Sequence, residues 1–331
     1  MEHKKIVIIG CGQLGSRHLQ SLLNIDKFTM NIDVVEPNEK NTQTAITRIS
    51  EANQEFLKNR NIKIEWYTSH EKLENSYDLA IVATTAAGRK NILLDLLKLG
   101  IKCFLIEKMV CQSEDEFKTI IKAFKKNEAK GWINCTRRYF PFYAGLIEKF
   151  KTETKIYFNV ISGNHGLGCN AVHFIDLFYA LCGDKGKLNL EGEYLSQEIL
   201  KNQRGTELSE FSGVITGKIN ENFCSVQFHS GNMVPVQIEI LSDNYRIKID
   251  ESKNSAYIFK ILNGLNSEEV PFNIVYTSQL TSMLAEEILL KKESRLPDLE
   301  KSFVIHKELF KIFNSHIKKV TGIKKDLCPI T

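Results

Sequence analysis

The chain has 331 residues, which at about 150 per domain favours two domains over one. Hydrophobic residues make up 43% and charged residues 25%, which excludes a disordered, collagen-like or coiled-coil chain as a whole-molecule description. With 44 basic and 40 acidic residues the net charge is +4, too weak and too scattered a field to point to a nucleic-acid partner. The longest stretch free of charged side chains, roughly residues 156–175, carries Asn159, His165, Asn170 and His173, so no membrane span is expected. Eight cysteines are spread along the chain without a CxxC pair. They predict free thiols in a reducing cytoplasm, with neither a disulfide framework nor a metal site. The start of the chain runs straight into an apolar strand and a glycine turn, where a signal peptide would have a cleavage site.

In chain order, 6–10 is a continuous apolar run, as in a strand buried on both faces of a parallel sheet. A helix over 16–23, a strand over 32–36, a polar helix over 40–59 and a strand over 62–67 follow. Next come a strand over 78–84, a helix over 91–99 closed by Gly100, and a strand over 103–106. A helix over 114–127 and a strand over 131–136 complete the series. Strands alternating with helices specify a doubly wound α/β sheet with right-handed crossovers, a Rossmann domain over 1–136. Beyond about residue 150 the pattern changes. Runs over 156–162, 213–219, 223–229, 234–241 and 245–250 read as strands joined by short turns, hence a mostly antiparallel open sheet. One helix, over 171–181, interrupts them, and two more, over 277–291 and 299–320, end the chain. Residues 137–331 are expected to form a second α/β domain for substrate and oligomerisation.

The strongest local motif is Gly10-Cys11-Gly12-Gln13-Leu14-Gly15, set between a strand and a helix. In that context it is a dinucleotide fingerprint. Gly10 serves the tight turn, Gly12 admits the pyrophosphate to the backbone and Gly15 lets helix pack on strand. The helix start, with Gln13 and Leu14, offers amides to phosphate. Glu36 ends the next strand 21 residues beyond Gly15, where a carboxylate can accept from ribose hydroxyls. The same carboxylate repels a 2′-phosphate, so NAD is favoured over NADP, with Arg17 either a cation in NADP's favour or a solvated first-turn residue. A glycine turn without cofactor is the competing reading.

Extended by Ser16-Arg17-His18, this motif resembles the opening of the glucose–fructose oxidoreductase/inositol dehydrogenase (Gfo/Idh/MocA) family, in which GxGxxGxxH is common. Ala83-Thr84-Thr85 resembles the family's turn beside the nicotinamide ribose, and Ile106-Glu107-Lys108-Met109 is similar to its E-K-P segment. Gly168 to Asp176 resembles its D-x-G-x-H-x-x-D segment, Arg138-Tyr139-Phe140-Pro141 its R-x-x-P stretch, and Leu296 to Ser302 its closing helices. The resemblance spans essentially the whole chain. It implies cofactor contacts at Gly10, Gly12, Gln13, Leu14, Gly15, Glu36, Thr84, Thr85, Glu107 and Lys108. It also places Lys108 and His173 at the catalytic lysine and histidine, and Asn170 and Cys169 among the substrate contacts. Three positions depart from the family pattern: Met109 replaces a proline, Cys169 an aspartate and Arg89 a histidine.

Oxidising a sugar hydroxyl needs a base for the O–H proton while hydride leaves carbon, and reducing a ketone needs the reverse. Lys108, at the carboxyl end of a parallel strand, suits that role, or else it is a solvated strand-end lysine. His173 is a base or relay, or a packed helical histidine. His18 reads as structural, and a nucleophilic Cys169 has nothing nearby in sequence to activate it. Arg138 either holds an anionic group of the substrate or makes a salt bridge. The resulting expectation is an NAD(P)-dependent oxidoreductase acting on a sugar or nucleotide sugar in surface-polysaccharide biosynthesis, a homo-oligomer (dimer or tetramer). The alternatives are a cofactor-binding sensor or assembly protein without redox turnover, and an NAD-recycling sugar lyase or dehydratase.

Overall fold

The computed structural model describes residues 2–60, 62–74, 76–163, 165–202, 204–261 and 267–331. The chain forms two compact units: the first is Met1–Cys111, Asp115–Asn134 and Val275–Leu299, the second Gln112–Glu114, Cys135–Ile274 and Glu300–Thr331.

The first unit carries β1 (His3–Ile9), α1 (Gly15–Leu22), β2 (Thr29–Val35), α2 (Glu39–Arg60) and β3 (Lys63–Tyr67). It continues with β4 (Leu79–Val82), α3 (Arg89–Lys98), β5 (Cys103–Ile106), α4 (Glu114–Lys126), β6 (Lys130–Ile133) and, from late in the chain, α7 (Thr277–Lys291). All six strands are parallel, in the order β3-β2-β1-β4-β5-β6. That order reverses between β1 and β4, where doubly wound sheets bind ligands at their carboxyl edge. The central strands β4 and β5 are apolar and buried throughout, which is why they read as continuous hydrophobic runs. The return of α7 to this unit is not written in its sequence. It is held by contacts with α1, where His18 Nδ1 lies 2.8 Å from Thr281 Oγ1 and the Ser282 amide donates to Ser21 Oγ at 2.9 Å.

The second unit contains α5 (Pro141–Lys149), β7 (Tyr157–Gly163), α6 (Leu167–Leu181), β8 (Asn189–Leu195), β9 (Leu200–Asn202) and β10 (Gly205–Glu210). Then follow β11 (Gly213–Ile219), β12 (Asn222–His229), β13 (Gln237–Leu241), β14 (Tyr245–Asp250), β15 (Ser255–Lys260), β16 (Ser267–Pro271) and α8, which starts at Leu299 and runs to Thr321. Eight strands pair in the order β16-β15-β14-β13-β7-β12-β11-β8, antiparallel except for β7 with β12, and β9 and β10 form a separate hairpin. Burial alternates along β7, with Phe158 and Val160 inside and Tyr157, Asn159 and Ile161 outside, as a sheet with one solvated face requires.

Five strands go unread in the sequence. β8 and β16 are edge strands with few apolar residues, β9 is three residues long, and β10 and β15 mix polar with apolar positions. Pro141 is the first residue of α5, a helical position that loses nothing with proline's missing N–H. The largest shift is at α6, which begins at Leu167 and not at Ala171. Gly168 and Asn170 look like turn residues, but Glu210 of β10 accepts the first-turn amides of Gly168 and Cys169 and so extends the helix.

Candidate active site

In the first unit the dinucleotide turn has the geometry its residues imply. Gly10 sits at φ +83°, and a Cβ on Gly15 would lie 1.9 Å from the Gly10 carbonyl oxygen, so only glycine lets α1 meet β1 this closely. A Cβ on Gly12 would have nothing nearer than Asn41 Nδ2 at 3.6 Å, which leaves that stretch of backbone open to a ligand. The amides of Gln13 and Leu14, at the start of α1, have no acceptor among the described residues, the arrangement that suits a bound anion. Arg48 of α2 binds this turn from the side, Nη2 donating to Gln13 Oε1 at 2.7 Å and Nη1 to Ser16 Oγ. Glu36 is buried, and its carboxylate accepts the amides of Cys11 at 2.7 Å and Asn38 at 2.9 Å. It therefore closes the glycine turn, keeping one lone pair on each oxygen for a ribose hydroxyl. These residues fit a dinucleotide.

At the carboxyl ends of β4 and β5 lie Thr84, Thr85, Glu107 and Lys108. Lys108 is buried, and its peptide bond to Met109 is cis. Glu107 accepts from His18 Nε2 at 3.1 Å and Asn134 Nδ2 at 2.5 Å. Burial alone would push its carboxyl up. The bonds from His18 and Asn134, with the charges of His18 and Lys108, outweigh that and hold it at about 2. His18 is thus structural in a specific sense: it fixes the carboxylate next to Lys108. Arg89, 1% exposed, donates to the carbonyls of Thr84, Glu107 and Met109. It bolts the ends of β4 and β5 together and brackets Lys108 through the backbone on both sides.

In the second unit, Cys169 and Asn170 on the first turns of α6 border a cavity of about 260 Å³. His173 follows Cys169 by four residues, on the same face of the helix. Cys169 Sγ donates to the Thr331 carbonyl at 3.1 Å, and Asn170 Nδ2 donates to the carbonyls of His165 and Gly166. Glu210 also lines the cavity. Beyond the α6 amides it accepts the Phe211 amide at 3.0 Å and Asn202 Nδ2 at 3.3 Å. Its position explains Gly166 (φ +70°), where a Cβ would fall 2.2 Å from the Glu210 carboxyl carbon. A carboxylate therefore does reach the turn that holds Cys169, delivered from another strand. The segment Cys328–Thr331, buried along its length, packs on the same turn, with the Ser209 amide donating to Pro329 and the Cys328 amide to Gln112.

Arg138 takes the salt-bridge alternative. It is 5% exposed, its Nε and Nη2 are both 2.7 Å from the Asp176 carboxylate, and Nη1 is 2.8 Å from Asp184. Asp176 lies seven residues past Cys169, about 10 Å further along α6. The described residues contain no cluster of three or more His, Cys, Asp or Glu able to hold a metal.

Residues 4–135 match the profile of the Gfo/Idh/MocA oxidoreductase family, described by its NAD-binding Rossmann fold. The dinucleotide-binding region belongs to the Gfo/Idh/MocA family. No curated protein matches the chain. Among solved structures, UDP-N-acetylglucosamine 3-dehydrogenase from Acidithiobacillus ferrooxidans is similar at 14% identity and TM-score 0.71, over 94% of this chain and 97% of that one. An oxidoreductase from Agrobacterium radiobacter, solved with NAD+, L-tartaric acid and magnesium, is similar at 11% identity and TM-score 0.71, over 96% and 97%. Biliverdin reductase from Synechocystis, solved with biliverdin and NADP+, is similar at 12% identity and TM-score 0.68, over 96% and 99%. At these identities the likeness is one of fold.

Residues 4–135 therefore carry an NAD-binding Rossmann fold of the oxidoreductase family. Within that frame the sequence missed Glu210, Asn202, the 328–331 segment and the bracing role of Arg89. Only Arg89 left a trace, as a departure from the family pattern. The others come from strands or tail segments whose partners are remote in sequence.

Proposed function

We propose that the protein transfers hydride between NAD and a hydroxyl or ketone of a sugar or nucleotide sugar, in surface-polysaccharide biosynthesis. The observation that carries this reading is Lys108, at the carboxyl end of β5 on the same sheet edge as the glycine turn, beside the ionised Glu107. One structural neighbour, by its name, oxidises a nucleotide sugar at a ring carbon. When bound, the nicotinamide supplies the hydride acceptor or donor. The residues that hold the dinucleotide are Gly10, Gly12, Gln13, Leu14, Gly15 and Glu36, with Thr84, Thr85 and Glu107 toward the reacting end. Lys108 holds or takes the proton at the substrate oxygen through Nζ, and His173 is its partner in proton transfer. Asn170, with its amide nitrogen engaged, offers Oδ1 to a sugar hydroxyl, and Cys169 lines the wall as a thiol. The eight free thiols fit a cytoplasmic enzyme.

Calorimetric titration of nucleotide-free protein with NADH and NADPH tests the cofactor half. NADH is expected to bind at least about tenfold more tightly, since Glu36 repels a 2′-phosphate. Equal affinities remove Glu36 as the discriminator, and no binding of either favours a scaffold without redox turnover. A sugar panel followed by nicotinamide absorbance tests the other half, and product without net absorbance change identifies a lyase or dehydratase.

The oligomer proposal rests on the solvated face of the eight-stranded sheet. Tyr157, Ile161, Phe223, Leu241 and Tyr257 are exposed there, and Tyr157 pairs in register with both Phe223 and Leu241. Exposed apolar side chains grouped on one sheet face are what a second copy of the chain would cover. Light scattering is expected to show a dimer or tetramer that falls to monomer in Ile161→Lys/Leu241→Lys, and a monomeric unmutated protein would exclude it.

A further inference from the structure

We infer that the substrate sugar carries an anionic group, a phosphate or a carboxylate, and that the cavity of the second unit holds it through Lys201 and Arg204. This rests on the oxidoreductase reading above and narrows its substrate class. Basic side chains reach the cavity from four places: Lys201 in β9, Arg204 in the β9–β10 turn, His165 ahead of α6 and His229 at the end of β12. Lys201 and Arg204 are exposed and make no ion pair among the described residues. Arg137, Arg138 and Arg246 each pair with a carboxylate, and Arg89 is held by carbonyls.

Glu210, the one acid in the cavity wall among the described residues, has its oxygens taken up by three backbone amides and Asn202, so they are not directed at those cations. The turn that carries them is anchored through its backbone. Asn202, bonded to Glu210, accepts the Arg204 amide on Oδ1 at 2.8 Å, which ties the hairpin turn to the wall. His165 Nδ1 is fixed by the Gly163 carbonyl at 2.6 Å, leaving Nε2 without a partner among the described residues. Lys and Arg bring donors only. A wall of unpaired donors matches an acceptor-rich phosphate or carboxylate better than sugar hydroxyls, which need acceptors as well. The sequence assigned anion recognition to Arg138 as one alternative; with Arg138 engaged by Asp176 and Asp184, that chemistry passes to the hairpin.

The test is calorimetric titration of the NADH-saturated protein with UDP, glucose 1-phosphate, glucuronate and glucose at low and moderate salt. At least one anionic probe is expected to bind about tenfold or more tightly than glucose and to weaken with salt. Binding of UDP or glucose 1-phosphate assigns a phosphate, and binding of glucuronate alone assigns a carboxylate. Lys201→Ala/Arg204→Ala, on exposed positions that leave the fold intact, is expected to lose that affinity by about tenfold or more while NADH binding is unchanged. If no anionic probe outbinds glucose, or the double variant binds it as well as the unmutated protein, the inference is overturned. Reduction of NAD by a neutral sugar with no anion preference would overturn the inference and leave the oxidoreductase reading standing. Failure to bind NADH would remove that reading, and the same four probes, titrated without cofactor, still decide whether the cavity selects anions.

Discussion

Lys108→Ala is expected to lower turnover about a thousandfold while leaving NADH affinity within about twofold of the unmutated protein, because proton transfer by a positioned side chain contributes roughly that much. Lys108 is proposed to hold the proton at the substrate oxygen, and although the family resemblance also puts it beside the cofactor, most of the dinucleotide's contacts are proposed for the glycine turn and Glu36. The glycine turn and Glu36, proposed to hold the dinucleotide, would do so through amides and a carboxylate that the substitution does not touch. Lys108→Arg is expected to fail to rescue, since a guanidinium does not release its proton near neutral pH. Initial rates on the best sugar of the panel, with NADH titrated into each variant, separate the two effects. Full turnover in Lys108→Ala would falsify the assignment, and loss of NADH binding alongside turnover would show that the substitution disturbed the sheet edge itself. Glu107 is the internal control. Held ionised by His18 and Asn134, it should keep its place in Lys108→Ala.

Asp176→Ala is expected to destabilise the second unit by about 3–5 kcal/mol, because it strips a buried guanidinium of its bidentate partner. Arg138 and Asp176 are both inaccessible, and the two 2.7 Å bonds replace the hydration each ion loses. Asp184 would still hold Nη1 at 2.8 Å, shared with Lys301, so the loss should fall toward the lower end of that range. In a unit of this size the melting transition should drop by roughly 10 °C. The double variant Arg138→Met/Asp176→Leu is expected to recover much of the loss, as paired hydrophobic replacements of buried ion pairs commonly do. Thermal melts of the single and double variants decide it. A single variant as stable as the parent would mean that Arg138 finds water, and would reopen it as a group able to meet substrate.

Much of the first unit was legible because its signals are local. A parallel strand covered on both faces must be apolar throughout, so 6–10 and 103–106 announce themselves. A Cβ on Gly15 would fall 1.9 Å from the Gly10 carbonyl oxygen and Gly10 itself sits at φ +83°, so both positions must be glycine and announce themselves too. The order of strands and helices then leaves few topologies. The second unit was legible as a class of sheet, but its edge strands bury too few side chains to leave an alternating pattern, and its hairpin β9–β10 left none.

The chemistry divides along the same line. By itself the sequence determined which residue types were present at the carboxyl ends of β1, β2, β4 and β5: the glycines, Glu36, Thr84, Glu107 and Lys108. Spacing along one strand or helix is short-range geometry. Tertiary structure alone decided what those residues touch. It placed His18 on Glu107, Arg89 across two strand ends, Arg138 on Asp176 and Glu210 at the start of α6. Each of those contacts joins atoms from segments remote in sequence, and a charged side chain's role depends on which opposite charge or carbonyl reaches it. That choice is made when the chain closes on itself, because a buried charge must find a partner and the fold determines which one is near.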